Sequence, residues 1–91
     1  MIPRNRPPTP PGEILLEEFL KPLGLSQVDA AQRMGIPVNR LNEVVRGKRG
    51  ISADTALRLA RLFDTSAEFW MNLQTASDLD RASRSLEPAE A

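Results

Sequence analysis

The chain has no cysteine, no histidine and no tyrosine. Without thiols it can form neither a disulfide nor a thiolate metal site, and an intracellular setting is natural. Without imidazole or phenol groups much of the catalytic acid–base repertoire is missing. The carboxylates are spread over outward faces, with no metal-ligand spacing and no nucleophile–base pair, so neither an enzyme nor a cofactor or metal is expected. Apolar runs are only a few residues long, which excludes a membrane-spanning helix. The opening MIPRNRPPTPP carries two arginines but no apolar core of a leader, so it does not read as a secretory signal, and a cytoplasmic protein is expected. Net charge is absent too: 12 basic residues balance 12 acidic ones.

That balance conceals an asymmetry. Residues 25–50 hold Arg33, Arg40, Arg46, Lys48 and Arg49 against Asp29 and Glu43, a local excess of +3. Residues 67–91 hold Glu68, Asp78, Asp80, Glu87 and Glu90 against Arg81 and Arg84, a local excess of −3. Binding depends on the local field, so a nucleic-acid partner stays open for the basic segment.

The length of 91 residues allows one small domain, which would bury about 60–65% of its unfolded surface. Short connections and apolar residues at helical spacing predict an all-α fold of five helices, with no strand signal and no internal repeat. Residues 1–11 contain five prolines and predict an extended or disordered arm. The domain proper is expected over 12–83, and a frayed polar tail over 84–91. The first helix should start near Gly12 or Glu13 and end near Leu20, turning Ile14, Leu15, Phe19 and Leu23 inward and Glu13, Glu17 and Glu18 outward. Pro22 and Gly24 close it. Ser52 caps a fourth helix, with Asp54 against its dipole and Ala56, Leu59, Ala60 and Phe63 inward. Ser66 caps a fifth, on which Phe69, Trp70, Leu73, Ala76 and Leu79 share one broad face.

Between them lies the most informative stretch, LSQVDAAQRMGIPVNRLNEVVRGKRG, residues 25–50. Ser26 is placed to cap a helix over about 26–34, with Asp29 three residues on and Val28, Ala31 and Met34 at helical spacing. Gly35 supplies the positive φ of a sharp turn. Pro37 suits the first turn of the next helix, about 38–46, whose apolar stripe is Leu41, Val44 and Val45. Its other face carries Val38, Asn39, Arg40, Asn42, Glu43 and Arg46, and a basic loop from Gly47 to Gly50 follows. This is the layout of a helix-turn-helix, in which one helix packs on its partner and offers a polar face to a DNA groove.

The order of features resembles the helix-turn-helix domains of phage repressors and of the wider xenobiotic-response-element regulators. Three segments, PGEILLEEFLKPLGLSQ, NEVVRGKRGISADTALRLARLF and TSAEFWMNLQ, together resemble HigA-type antitoxins of type II toxin–antitoxin modules more closely. Many members carry a histidine just before the PGE motif, where this chain has Pro10. The resemblance implies a five-helix, lambda-repressor-like domain that dimerises and represses its own operon at a palindromic operator. It also implies a partner, a RelE-like mRNA-cleaving toxin of the HigB type. A phage-repressor-like regulator without a toxin is the second reading, since nothing in the DNA-binding segment separates the two.

In the pattern of that family, the start of the second unit helix lies in the major groove, which places Pro37, Val38, Asn39, Arg40, Asn42 and Glu43 near base edges. An amide such as that of Asn39 can bond adenine N6 and N7 together, a guanidinium can pair with guanine, Val38 can touch a thymine methyl, and Glu43 can accept from cytosine N4. Ser26, Gln27, Arg46, Lys48 and Arg49 are expected at phosphates, Gln27 from a helix N-terminus. Trp70, Leu73 and Leu79 are expected around a two-fold axis, because two half-sites about 34 Å apart need two copies. Glu13, Glu17 and Glu18, or the proline-rich arm, would suit a basic toxin.

Overall fold

The computed structural model describes residues 7–86. Residues 1–6 of the expected arm and 87–91 of the expected tail lie outside the described residues. Among the described residues there are five helices and no strand: α1 (Pro11–Ile14, running on through a wide-turned π-helical stretch, Leu15–Leu20), α2 (Gln27–Met34), α3 (Val38–Val45), α4 (Ala53–Phe63) and α5 (Ala67–Leu86). The fold is all-α, as the periodicity requires.

The caps explain most of the boundaries. Ser26, Ser52 and Ser66 each accept a backbone N–H three residues on, from Asp29 at 3.0 Å, Thr55 at 3.3 Å and Phe69 at 3.0 Å. Each hydroxyl thereby satisfies a helix donor that has no partner of its own. Gly35 ends α2 at φ 73°, in the left-handed region that costs glycine nothing. Pro37 stands just outside α3 in extended backbone, so the helix begins at Val38 rather than at the proline.

Two ends differ from the sequence reading. Pro11 belongs to α1 and is buried, because a proline loses no bond at the first helical position. The polar segment from Ser83 continues α5 to Leu86, supported by the Arg84 Nε bond to Asp80 Oδ2 at 3.0 Å one turn earlier. The π-helical stretch was not foreseen. The Lys21 N–H donates to the Leu16 carbonyl five residues back at 3.0 Å. Such wide turns bring residues five apart nearly into line, so Leu15 and Leu20 both reach the interior.

The core gathers Leu15 and Leu20 of α1, Ala30, Ala31 and Met34 of α2, Leu41 and Val44 of α3, Ala56 and Leu59 of α4, and Trp70 of α5, with Ile36 and Ile51 from the loops. Val28 is not among them. It is 62% exposed, because α2 turns its two small alanines inward, where a close approach to α3 and α4 leaves no room for a branched side chain.

Gly12 is buried where α1 meets α3. A Cβ there would collide with the Val44 carbonyl oxygen and stand 2.6 Å from that of Val45. The first turn of α1 therefore rests directly on the last backbone turn of α3.

Trp70 is fully enclosed. Its indole N–H donates to Thr65 Oγ1 at 2.8 Å, and its ring centroid lies 5.0 Å from those of both Phe19 and Phe69. It joins α5 to α1. It is consequently not available at the surface for a second copy, and its expected place in a dimer interface is corrected to the protomer's own core.

Candidate nucleic-acid interface

Helices α2 and α3 pack on each other, and α2 also packs on α4. Leu41 and Val44 are buried, which turns the opposite face of α3 outward. Val38 and Asn39 are exposed at its start, and Pro37 precedes them in extended backbone. Val38 is 43% exposed and stands outside the core cluster. These residues form the leading edge of the face.

The next residues of the face are tied into the protein. Asn42 donates through Nδ2 to Gln27 Oε1 at 3.2 Å, so the amides expected at bases and at phosphates belong to one hydrogen-bonded pair across the α2–α3 turn. Arg40 donates through Nη2 to Asp54 Oδ2 at 2.6 Å and to Thr55 Oγ1 at 2.8 Å. Glu43 accepts from Arg49 Nε at 2.9 Å, joining the end of α3 to the basic loop. Ser26 Oγ is occupied by the cap of α2. Arg46 and Lys48 are exposed and form no ion pair among the described residues.

Asp54 is the hub behind this face. It also accepts from Arg58 Nε at 2.9 Å, and Arg58 Nη1 donates to the Met34 carbonyl at 2.7 Å, at the C-terminal end of α2. The hydrogen bond from Arg40, then that from Arg58, holds the Asp54 carboxyl below its ordinary value of 3.8. Neither Arg58 nor the buried Thr55 was singled out from the sequence, and Asp54 was read only as a helix-dipole residue. The available signal was Asp54 in the first turn of a capped helix beside a basic segment, but its partner lies 14 residues away.

On the other side of the loop, Gly47 to Ser52 line a groove of about 650 Å³ with Pro10 and Pro11 at the start of α1 and Gln74, Ser77, Asp78 and Arg81 on α5. Gln74 fixes the loop, accepting the Ile51 N–H at 2.6 Å and donating to Asp78 Oδ1 at 2.8 Å. Beyond it α5 outruns the helices beneath. Leu73 is half-buried, whereas Leu79 is 65% and Leu86 83% exposed. The face expected from Phe69 to Leu79 is thus inward only in its first part. The acids of α1, Glu13, Glu17 and Glu18, are all exposed, with Glu17 paired to Lys21 at 3.0 Å.

Among the described residues no cluster of acids could hold a metal ion, and no helix is long and apolar enough to cross a membrane. What the arrangement offers is a polar helical face edged by exposed cations, the chemistry of a duplex-binding surface.

Comparison with known proteins agrees with this reading. A helix-turn-helix family model matches residues 16–70. The chain is 56% identical over 72 residues to virulence-associated protein I of Dichelobacter nodosus, covering 79% of this chain and 67% of that protein. It is 36% identical over 75 residues to antitoxin HigA-1 of Vibrio cholerae, covering 82% of this chain and 70% of that one. The structure of Pseudomonas aeruginosa antitoxin HigA with the higBA promoter superposes with a TM-score of 0.83 at 44% identity, over 89% of this chain and 97% of that one. The last two are antitoxins by name, one of them solved with promoter DNA, and the matched family is one of DNA-binding proteins rather than enzymes. The chain belongs to the helix-turn-helix family, in the branch that holds the HigA antitoxins.

Proposed function

We propose that this protein is a cytoplasmic repressor and antitoxin. As a dimer it binds a palindromic operator before its own operon, and it holds a HigB-type, RelE-like mRNA-cleaving toxin inactive. The observation that carries the DNA half is the outward face of α3, with exposed Val38 and Asn39 at its start and exposed Arg46 and Lys48 at its end. That the similar Pseudomonas antitoxin HigA was solved with promoter DNA supports the same half.

In this reading Pro37 and Val38 meet the base edges first and Asn39 reads adenine, since one side-chain amide can donate its N–H to N7 and accept at its carbonyl oxygen the bond from the N6 amine. Arg40, Asn42 and Glu43 read further along the groove. Gln27 beside Ser26 grips a phosphate at the N-terminus of α2, and Arg46, Lys48 and Arg49 grip the backbone beyond.

The second copy docks along the outer half of α5. Leu79 and Leu86 are seven residues apart on one helical face and both exposed, the spacing that a paired helix covers. Leu73 packs on the core and lies about a third of a turn round α5 from that face, so its expected part in the interface is at most peripheral.

The toxin half follows from the resemblance to HigA antitoxins, with the acids of α1 as the surface that suits a basic partner. The test is co-expression of this chain with the protein encoded beside it. Growth arrest by the neighbour alone, relieved on co-expression with co-purification, supports the antitoxin role. A neighbour that is harmless or does not bind removes that role and leaves a stand-alone regulator.

A further inference from the structure

Two arginines of the proposed DNA face are already engaged by carboxylates within the chain. Arg40 lies 2.6 Å from Asp54 and 2.8 Å from the Thr55 hydroxyl, and its side chain is only 26% exposed. Arg49 offers both Nε, at 2.9 Å, and Nη2, at 2.8 Å, to one oxygen of Glu43. Asp54 sits in the first turn of α4, outside the helix that would enter the groove.

Phosphate contacts are independent of sequence and dominate binding to arbitrary DNA. A guanidinium that must first leave two partners to reach a phosphate adds little to such binding. The same guanidinium, held in one place, needs no further ordering when a matching site meets it.

We propose that Asp54 is a specificity-determining residue. By occupying Arg40 it withholds a cation from the backbone of arbitrary DNA, and so widens the gap between operator and non-operator affinity. Glu43 does the same to Arg49. This rests on the reading of α3 as the DNA-binding helix. It assigns a role to a residue that touches no base.

The test is a double-mutant cycle of Asp54→Asn and Arg40→Ala in the full chain, titrated against a non-operator duplex and the operator duplex over a salt series. Asp54→Asn is expected to bind the non-operator duplex several-fold more tightly and to steepen its salt dependence by about one unit of slope. The operator to non-operator ratio then narrows, and in the Arg40→Ala background Asp54→Asn changes neither quantity. An unchanged slope overturns the proposal, because Arg40 was then never withheld. An equal gain without Arg40 also overturns it, because the carboxylate then acts by direct repulsion.

Asp54 also pairs with Arg58, so each variant is checked by thermal melting. Glu43→Gln with Arg49→Ala repeats the cycle on non-operator DNA without touching α4, and the same outcomes decide it. A wild-type chain that binds no duplex at all overturns the DNA-binding reading itself, a result separate from either slope.

Discussion

Single residues settle how closely the helices approach. At Gly12 the absence of a side chain lets α1 rest on the carbonyls of Val44 and Val45. Gly12→Ala forces a methyl against rigid backbone rather than against a side chain that could swing away. A loss of at least about 2 kcal/mol is expected, read as an earlier urea midpoint by circular dichroism; an unchanged midpoint would show that α1 can lift off at no cost.

Asp54 acts through charge instead. Its carboxyl is held below its ordinary value of 3.8 by Arg40 and Arg58, so the unfolded chain takes up that proton first as pH falls. The stabilisation is full above 3.8 and is lost as pH drops from there through the lowered value. Melting temperature in that window should therefore fall more steeply for wild type than for Asp54→Asn, and parallel curves would contradict the pairing.

Helices and their junctions were the most legible level of the sequence. The three serine caps, the glycine that ends α2 and the apolar stripe of α3 depend on residues within a few positions, and all stand where local chemistry puts them. The misjudged features depend on what lies across the molecule. Val28 fits the spacing of α2 but faces out, because the packing partner selects the alanines. Trp70 is equally apolar as a core or an interface residue, and only its full burial against Phe19 and Phe69 decides between them. The Arg40–Asp54 pair spans 14 residues and becomes visible only once the fold brings the start of α4 beside the Arg40 side chain.

The junction between α2 and α3 sets the angle at which the DNA-facing helix is offered. At Gly35, φ is 73° and a Cβ would stand 3.2 Å from Arg58 Nη1, the group that bonds the Met34 carbonyl. Gly35→Ala should cost about 1 kcal/mol in backbone strain and weaken operator binding as well. Full stability with full affinity would show that the turn is not constrained.

At the scale of the whole molecule, the basic excess of residues 25–50 and the exposed Leu79 and Leu86 of α5 come from different elements of the chain. One protomer carries one α3, whereas a palindrome presents two half-sites about 34 Å apart. Leu79→Arg should leave the fold within about 0.5 kcal/mol of wild type, as surface substitutions usually do. It should also shift sedimentation from dimer to monomer and reduce operator affinity together. A Leu79→Arg protein that remains a dimer would move the interface away from the outer half of α5.

The central claim is that the exposed start of α3 reads the bases of an operator. Its most direct test is a fluorescence-anisotropy titration of the wild-type chain and Asn39→Ala against the duplex upstream of its operon, single-base variants of it, and a scrambled duplex, all at one salt concentration. The wild type should prefer the upstream duplex by about a thousandfold or more. Asn39→Ala should lose about 1–3 kcal/mol of that preference, and its discrimination should relax at one position of each half-site. Equal binding of the upstream and scrambled duplexes by the wild type, or an Asn39→Ala profile identical to it at every position, would contradict the claim.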